Sequence, residues 1–98
     1  MSQYVLAPDA QEDIKEIADY VTRQSPQNAA KVVRKLYEQF DRLADFPGLG
    51  HTREELRNDS LRVIAVYNYL VVYDPTTKPL KILRVVHGAR DLRRVRPR

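Results

Sequence analysis

A chain of 98 residues with no Cys, no Trp, two His and a formal charge of +4 has room for one domain of the usual size. The missing Cys excludes a disulfide framework, a thiolate zinc site and a Cys nucleophile at once. No apolar run approaches the ~18–20 residues that span a membrane, and the N-terminus lacks a basic-then-apolar signal pattern, so a small, soluble, cytoplasmic protein is expected.

Tyr4 to Ala7 is a short apolar stretch stopped by Pro8 and predicts an initial strand. Pro8 suits the first turn of a helix, where its missing N–H costs nothing. Asp9, Glu12, Asp13 and Glu16 crowd the early turns, near the positive end of the helix dipole. Ala10, Ile14, Ile17, Ala18 and Val21 recur at helical spacing, so this helix is expected over about residues 8–24. Ala7 at the cap position offers no side-chain oxygen, which leaves the start weakly specified. Ser25-Pro26 is a stronger start signal, a hydroxyl cap followed by Pro at the first helical position. From there Ala29, Val32, Val33, Leu36, Phe40 and Leu43 mark one apolar face through about Asp45. The short connection predicts an antiparallel helical hairpin. Pro47-Gly48-Leu49-Gly50 then ends the second helix.

Beyond this point the period changes from helical to alternating. Residues 61–66, 69–73 and 80–87 are rich in β-branched and apolar side chains and predict three strands. Tyr67-Asn68 is expected as a two-residue turn, with Asn tolerating positive φ, and Asp74 to Pro79 as a second turn. The order β-α-α-β-β-β gives an α+β domain, with the helical hairpin on one face of a mostly antiparallel sheet. The whole chain, 1–98, is expected to be this one domain with a basic C-terminal segment at 89–98. A chain this short has little left to cover the second sheet face, which is then solvated or a binding surface. Arg62, Arg84 and His87 stand among the apolar residues of the strands.

The charge is unevenly spread. Residues 1–60 hold 8 basic and 11 acidic side chains, and residues 61–98 hold 9 and 2, so the last part alone carries +7. Such a surplus invites a polyanionic partner, nucleic acid or an acidic protein, or else is a solvated tail. Metal chemistry is poorly supported, because His51 and His87 are far apart and neither has a paired ligand spacing. Phosphate-binding and dinucleotide loops are absent. Arg62, Arg84, His87, Arg90 and Asp91, with Glu54 and Glu55 upstream, are the residue types that metal-free RNA cleavage uses. A Glu or His serves as base, Arg holds the phosphate, and His protonates the leaving 5′-oxygen. The bland alternative is equally available: a strand-end His bonded to backbone, and an Arg-Asp pair tying down the C-terminal segment.

One ordered set of residues carries a resemblance. Tyr4…Leu6-Ala7-Pro8-Asp9-Ala10…Asp13-Ile14…Ile17…Tyr20 is followed by Leu43…Pro47…Gly50…Arg53-Glu54-Glu55-Leu56 and Leu61-Arg62. Tyr69…Val72-Tyr73 and Ile82-Leu83-Arg84-Val85-Val86-His87-Gly88-Ala89-Arg90-Asp91 complete it. From residue 4 to about 92 the chain resembles the RelE/ParE superfamily of toxins of type II toxin–antitoxin pairs, most of all the ParE branch. The resemblance implies the same β-α-α-β-β-β fold, no cofactor, and a cognate antitoxin whose C-terminal segment wraps the toxin. ParE-branch toxins poison DNA gyrase, whereas RelE-branch toxins cut mRNA in the ribosomal A site. In the RNA-cleaving pattern Glu54 falls near the general base, Arg62 and Arg84 near phosphate-holding arginines, and His87 near a catalytic His. Gly88 and Ala89 stand where that site often has Tyr, and its Lys cluster is absent, which favours the non-nucleolytic branch. The expected target-binding residues are then Arg90, Arg93, Arg94, Arg96 and Arg98. Tyr20 and Tyr37 are candidate anchors for the antitoxin, which the basic surplus predicts to be acidic and to fold on binding. A third reading is an inactive homologue kept for antitoxin binding and autoregulation.

Overall fold

The fold is given by a computed structural model that describes residues 3–95 and, among these, the side chains of all but Ala89 and Arg90. Strand β1 (Tyr4–Leu6) leads into helix α1 (Pro8–Gln24), then α2 (Pro26–Asp45), β2 (Arg62–Val66), β3 (Tyr69–Asp74), β4 (Leu80–His87) and a short helix α3 (Gly88–Leu92). The sheet order is β1-β4-β3-β2, with β1 parallel to β4 and the other two pairs antiparallel. This is the expected α+β architecture of a helical hairpin on a mostly antiparallel sheet.

The local signals explain the helix limits. Ala7 caps α1 without a side-chain bond, and Gln11 Nε2 instead donates to the Leu6 carbonyl at 3.0 Å. Ser25 Oγ accepts the Asn28 amide at 3.4 Å, so one residue both ends α1 and caps α2. The two apolar stripes meet the sheet in one core, where Ala10, Leu36, Phe40, Leu43, Val71 and Ile82 are fully buried. Tyr4 and Tyr37 each set a ring edge against Phe40, with centroids 5.5 Å apart.

Two expectations about the sheet are corrected. In the β2–β3 turn the left-handed backbone falls on Tyr67, at φ +54°, and Asn68 is not the positive-φ residue. More consequentially, the second sheet face is covered. Leu56, from a 3-10 turn over Glu54–Leu56, packs there with Leu61, Val63, Val72 and Val86. Leu92 and Val95 from the C-terminal segment close this second cluster. The segment turns back at Gly88, whose φ of +80° suits a residue without Cβ. What composition presented as a basic tail is, as far as Val95, a piece of the core with arginines on its outer side. No helix among the described residues is long and apolar enough to cross a membrane.

Candidate interaction surface

Strand β1 pairs only with Leu80, Lys81 and Ile82, so the outer edge of β4 is open beyond Ile82. Helix α1 runs beside this edge, and between them lies a groove of about 520 Å³. Its floor is the apolar set Ile17, Tyr69 and Val85. Tyr20 and Glu16 of α1 form one rim, and His87, Asp91 and Arg94 the other. Tyr20 is 58% exposed, an unusual position for a large aromatic beside an apolar floor.

Inside the groove the charges are already partly matched. Asp13 accepts from Arg84 Nε at 2.8 Å and Nη2 at 3.0 Å, and from the Val85 amide at 2.9 Å. The hydrogen bond to Asp13 keeps the Arg84 guanidinium charged to still higher pH than usual, against the opposing effect of burial. The sequence presents Asp13 as an early-turn acid and as a member of the ordered set that carries the resemblance, with no partner indicated. A signal was there: it lies three residues after Ala10 and four before Ile17, on the apolar stripe. A carboxylate in that position must find a partner as the helix packs.

The residues proposed for RNA cleavage do not converge. Val66, Tyr69 and His87 stand level across the three strands, and Arg62 lies four residues back along β2. With strands ~4.8 Å apart and ~3.4 Å per residue, the Arg62 and His87 Cα atoms are about 17 Å apart. Arg62 Nη1 donates to the Gly50 carbonyl at 2.9 Å and holds the loop after α2. Arg84 is engaged by Asp13. His87 is exposed and sets its ring against Tyr69, with centroids 5.4 Å apart. Glu54 is exposed on the 3-10 turn that covers the second sheet face. Only Arg84 and His87 share one site, and that site also contains Asp13, Glu16 and Asp91.

The basic segment is divided as well. Arg94 lines the α1–β4 groove, whereas Arg93 lines a polar hollow with Glu54, Glu55 and Arg57. Glu55 is held below the usual carboxylate range, first by hydrogen bonds from Arg53 at 2.8 and 3.4 Å, with a small contribution from the charge of Arg93. Arg96, Arg98 and the side chain of Arg90 lie outside what is described. Tyr37 is on α2, 37% exposed, and so does not share the groove with Tyr20. No group of three or more His, Cys, Asp or Glu among the described residues is placed to hold a metal ion.

No curated protein matches the sequence. Among solved structures, a chain of "Chromosomal ParDE TA system from P. aeruginosa" superposes with a TM-score of 0.74 at 21% identity, covering 90% of this chain and 97% of that one. At that identity the likeness speaks for the fold alone. The family model described as "ParE toxin of type II toxin-antitoxin system, parDE" matches residues 4–92, which takes in the three helices, all four strands and the groove between α1 and β4 except for Arg94. The chain therefore belongs to the ParE toxins of type II toxin–antitoxin systems.

Proposed function

We propose that this ParE-family toxin arrests growth by inhibiting DNA gyrase, in the cytoplasm, as a protein inhibitor that performs no chemistry itself. The observation that carries this reading is the dispersal of Arg62, Arg84, His87 and Glu54. A scissile phosphate needs base, cations and acid within hydrogen-bond reach of one another. Here one arginine holds a loop, the other is taken by Asp13, and three carboxylates surround the site that contains His87. A polyanion entering that groove meets repulsion as much as attraction.

The contact with the target falls to the arginines of the C-terminal segment, Arg90, Arg93, Arg94, Arg96 and Arg98, of which Arg93 and Arg94 are exposed. A cognate antitoxin silences the toxin by occupying its apolar surface, with Tyr20 and Tyr37 as the proposed anchors. The decisive experiment places purified protein side by side in a gyrase supercoiling assay and a ribosome-dependent mRNA cleavage assay. Inhibition of supercoiling without cleavage is expected. Cleavage that falls by about 10²–10⁴ on His87→Ala, with supercoiling untouched, would overturn the reading in favour of a RelE-like nuclease. Induction without growth arrest, and no effect in either assay, would leave an inactive homologue that serves antitoxin binding.

A further inference from the structure

Among the described side chains, the sign of the charge lining the α1–β4 groove is opposite to that of the chain as a whole. Arg84 and Asp13 neutralise each other across the groove. What remains on the α1 side is Glu12, Glu16 and Asp19, at i, i+4 and i+7, all exposed and none in an ion pair among the described residues. Lys15 is the only basic residue of α1 before Arg23. On the far rim Asp91 and Arg94 offset each other. The groove thus has an apolar floor, one exposed aromatic and a negative wall.

We propose that this groove takes an antitoxin segment that is cationic along the side facing α1, with Lys or Arg opposite Glu16 and its neighbours and an apolar side chain set between Tyr20 and Tyr69. The inference rests on the antitoxin reading above and specifies the partner's chemistry at one surface. Charge complementarity decides it: an acidic segment, which the overall +4 invites, is repelled here and suits the arginines beyond α3 instead. Side chains supply the recognition. The Val85 amide, at the middle of the open β4 edge, already donates to Asp13, so an added strand finds that donor occupied.

The test uses the full chain and the protein encoded by the neighbouring reading frame, with affinity measured at about 50 mM and about 500 mM salt. Three variants are compared with the unaltered chain: Glu16→Lys on the groove rim combined with Asp19→Lys one turn further along α1, Tyr20→Ala, and Glu38→Lys on the exposed face of α2 as a charge control. All four positions are exposed, and circular dichroism with thermal melting checks that each variant folds. Glu16→Lys/Asp19→Lys should weaken binding about tenfold or more at low salt, with a smaller loss at high salt, while Glu38→Lys leaves it unchanged. Tyr20→Ala should weaken binding to a similar degree at both salt concentrations. Unchanged or tighter binding by Glu16→Lys/Asp19→Lys, or unchanged binding by Tyr20→Ala, with the unaltered complex intact, overturns this inference and leaves the antitoxin reading standing. No complex with the unaltered chain overturns both.

Discussion

Asp13 and Arg84, 71 residues apart in the chain, form a two-pronged ion pair that fixes α1 to β4 where β1 no longer covers the strand edge. The same carboxylate takes the Val85 amide, so its removal strands three donors together. The Arg84 side chain is 30% exposed and that of Asp13 12%, which tempers the loss relative to a fully buried pair. Asp13→Ala should cost about 2 kcal/mol, read from the urea midpoint. Asp13→Ala with Arg84→Met should recover part of this, since the second change removes the unpaired cation. A double variant as unstable as the sum of the two single ones would mean that the residues do not act as a pair.

Gly50 is fixed by proximity. Its φ of −79° is open to any residue, but a Cβ there would lie 2.6 Å from the Tyr73 hydroxyl and 2.8 Å from the Val63 carbonyl oxygen. The Tyr73 hydroxyl accepts the Gly50 amide at 2.8 Å and donates to the Pro47 carbonyl at 2.7 Å, closing the loop after α2 onto the sheet. Gly50→Ala should therefore destabilise by about 2–3 kcal/mol and Tyr73→Phe by about 1–2, the latter by leaving a buried amide without its acceptor. Equilibrium unfolding in urea measures both. Gly50→Ala as stable as the parent would mean that the loop yields freely.

Tyr73 also sets an alkaline limit. Burial raises its phenol above the ordinary 10.0, outweighing the Gly50 hydrogen bond and the nearby charge of Arg62, which both act to lower it. The folded state then holds this proton more tightly than the unfolded one. Its contribution is intact below the unfolded value and is lost as pH rises past it towards the folded value. Tyr4 and Tyr69, raised by burial in the same way, add to the effect. Melting temperature should fall steeply above about pH 10, and less steeply in Tyr73→Phe. Parallel slopes in parent and variant would assign the alkaline loss to other groups.

How much of this was legible in the sequence depends on where the information lies. Helices α1 and α2 were readable to the residue because Pro8, Ser25-Pro26 and Pro47 are local signals that act within one turn. The β strands were readable from alternation, but their positions in the sheet were not, since the parallel β1–β4 pairing brings residue 4 to residue 80. The packing of the C-terminal segment is hidden in the sequence for a compositional reason. Five arginines among few apolar residues read as tail, yet Leu92 and Val95 are spaced one helical turn apart and both are buried. Spacing along the chain does not show how far Arg62 lies from His87, which strand register sets, nor that Arg84 is taken by Asp13.

The arginines of the C-terminal segment and its buried anchors make separate predictions, and the two must be cut apart to be tested. Ending the chain after Asp91 removes Leu92 and Val95, which are 0% and 4% exposed, and uncovers Val72 and Val86. That truncation should cost roughly 3–5 kcal/mol, and lost toxicity would then report unfolding. Ending the chain after Val95 keeps both anchors and removes only Arg96, Pro97 and Arg98. Combined with Arg93→Gln and Arg94→Gln, both exposed, it should leave the melting temperature of the parent within about 2 °C. Gyrase inhibition should nevertheless fall by tenfold or more, most clearly at low salt, because the steering charge is gone while the fold remains. Full inhibition by this stable, discharged variant would move the target contact away from the C-terminal arginines.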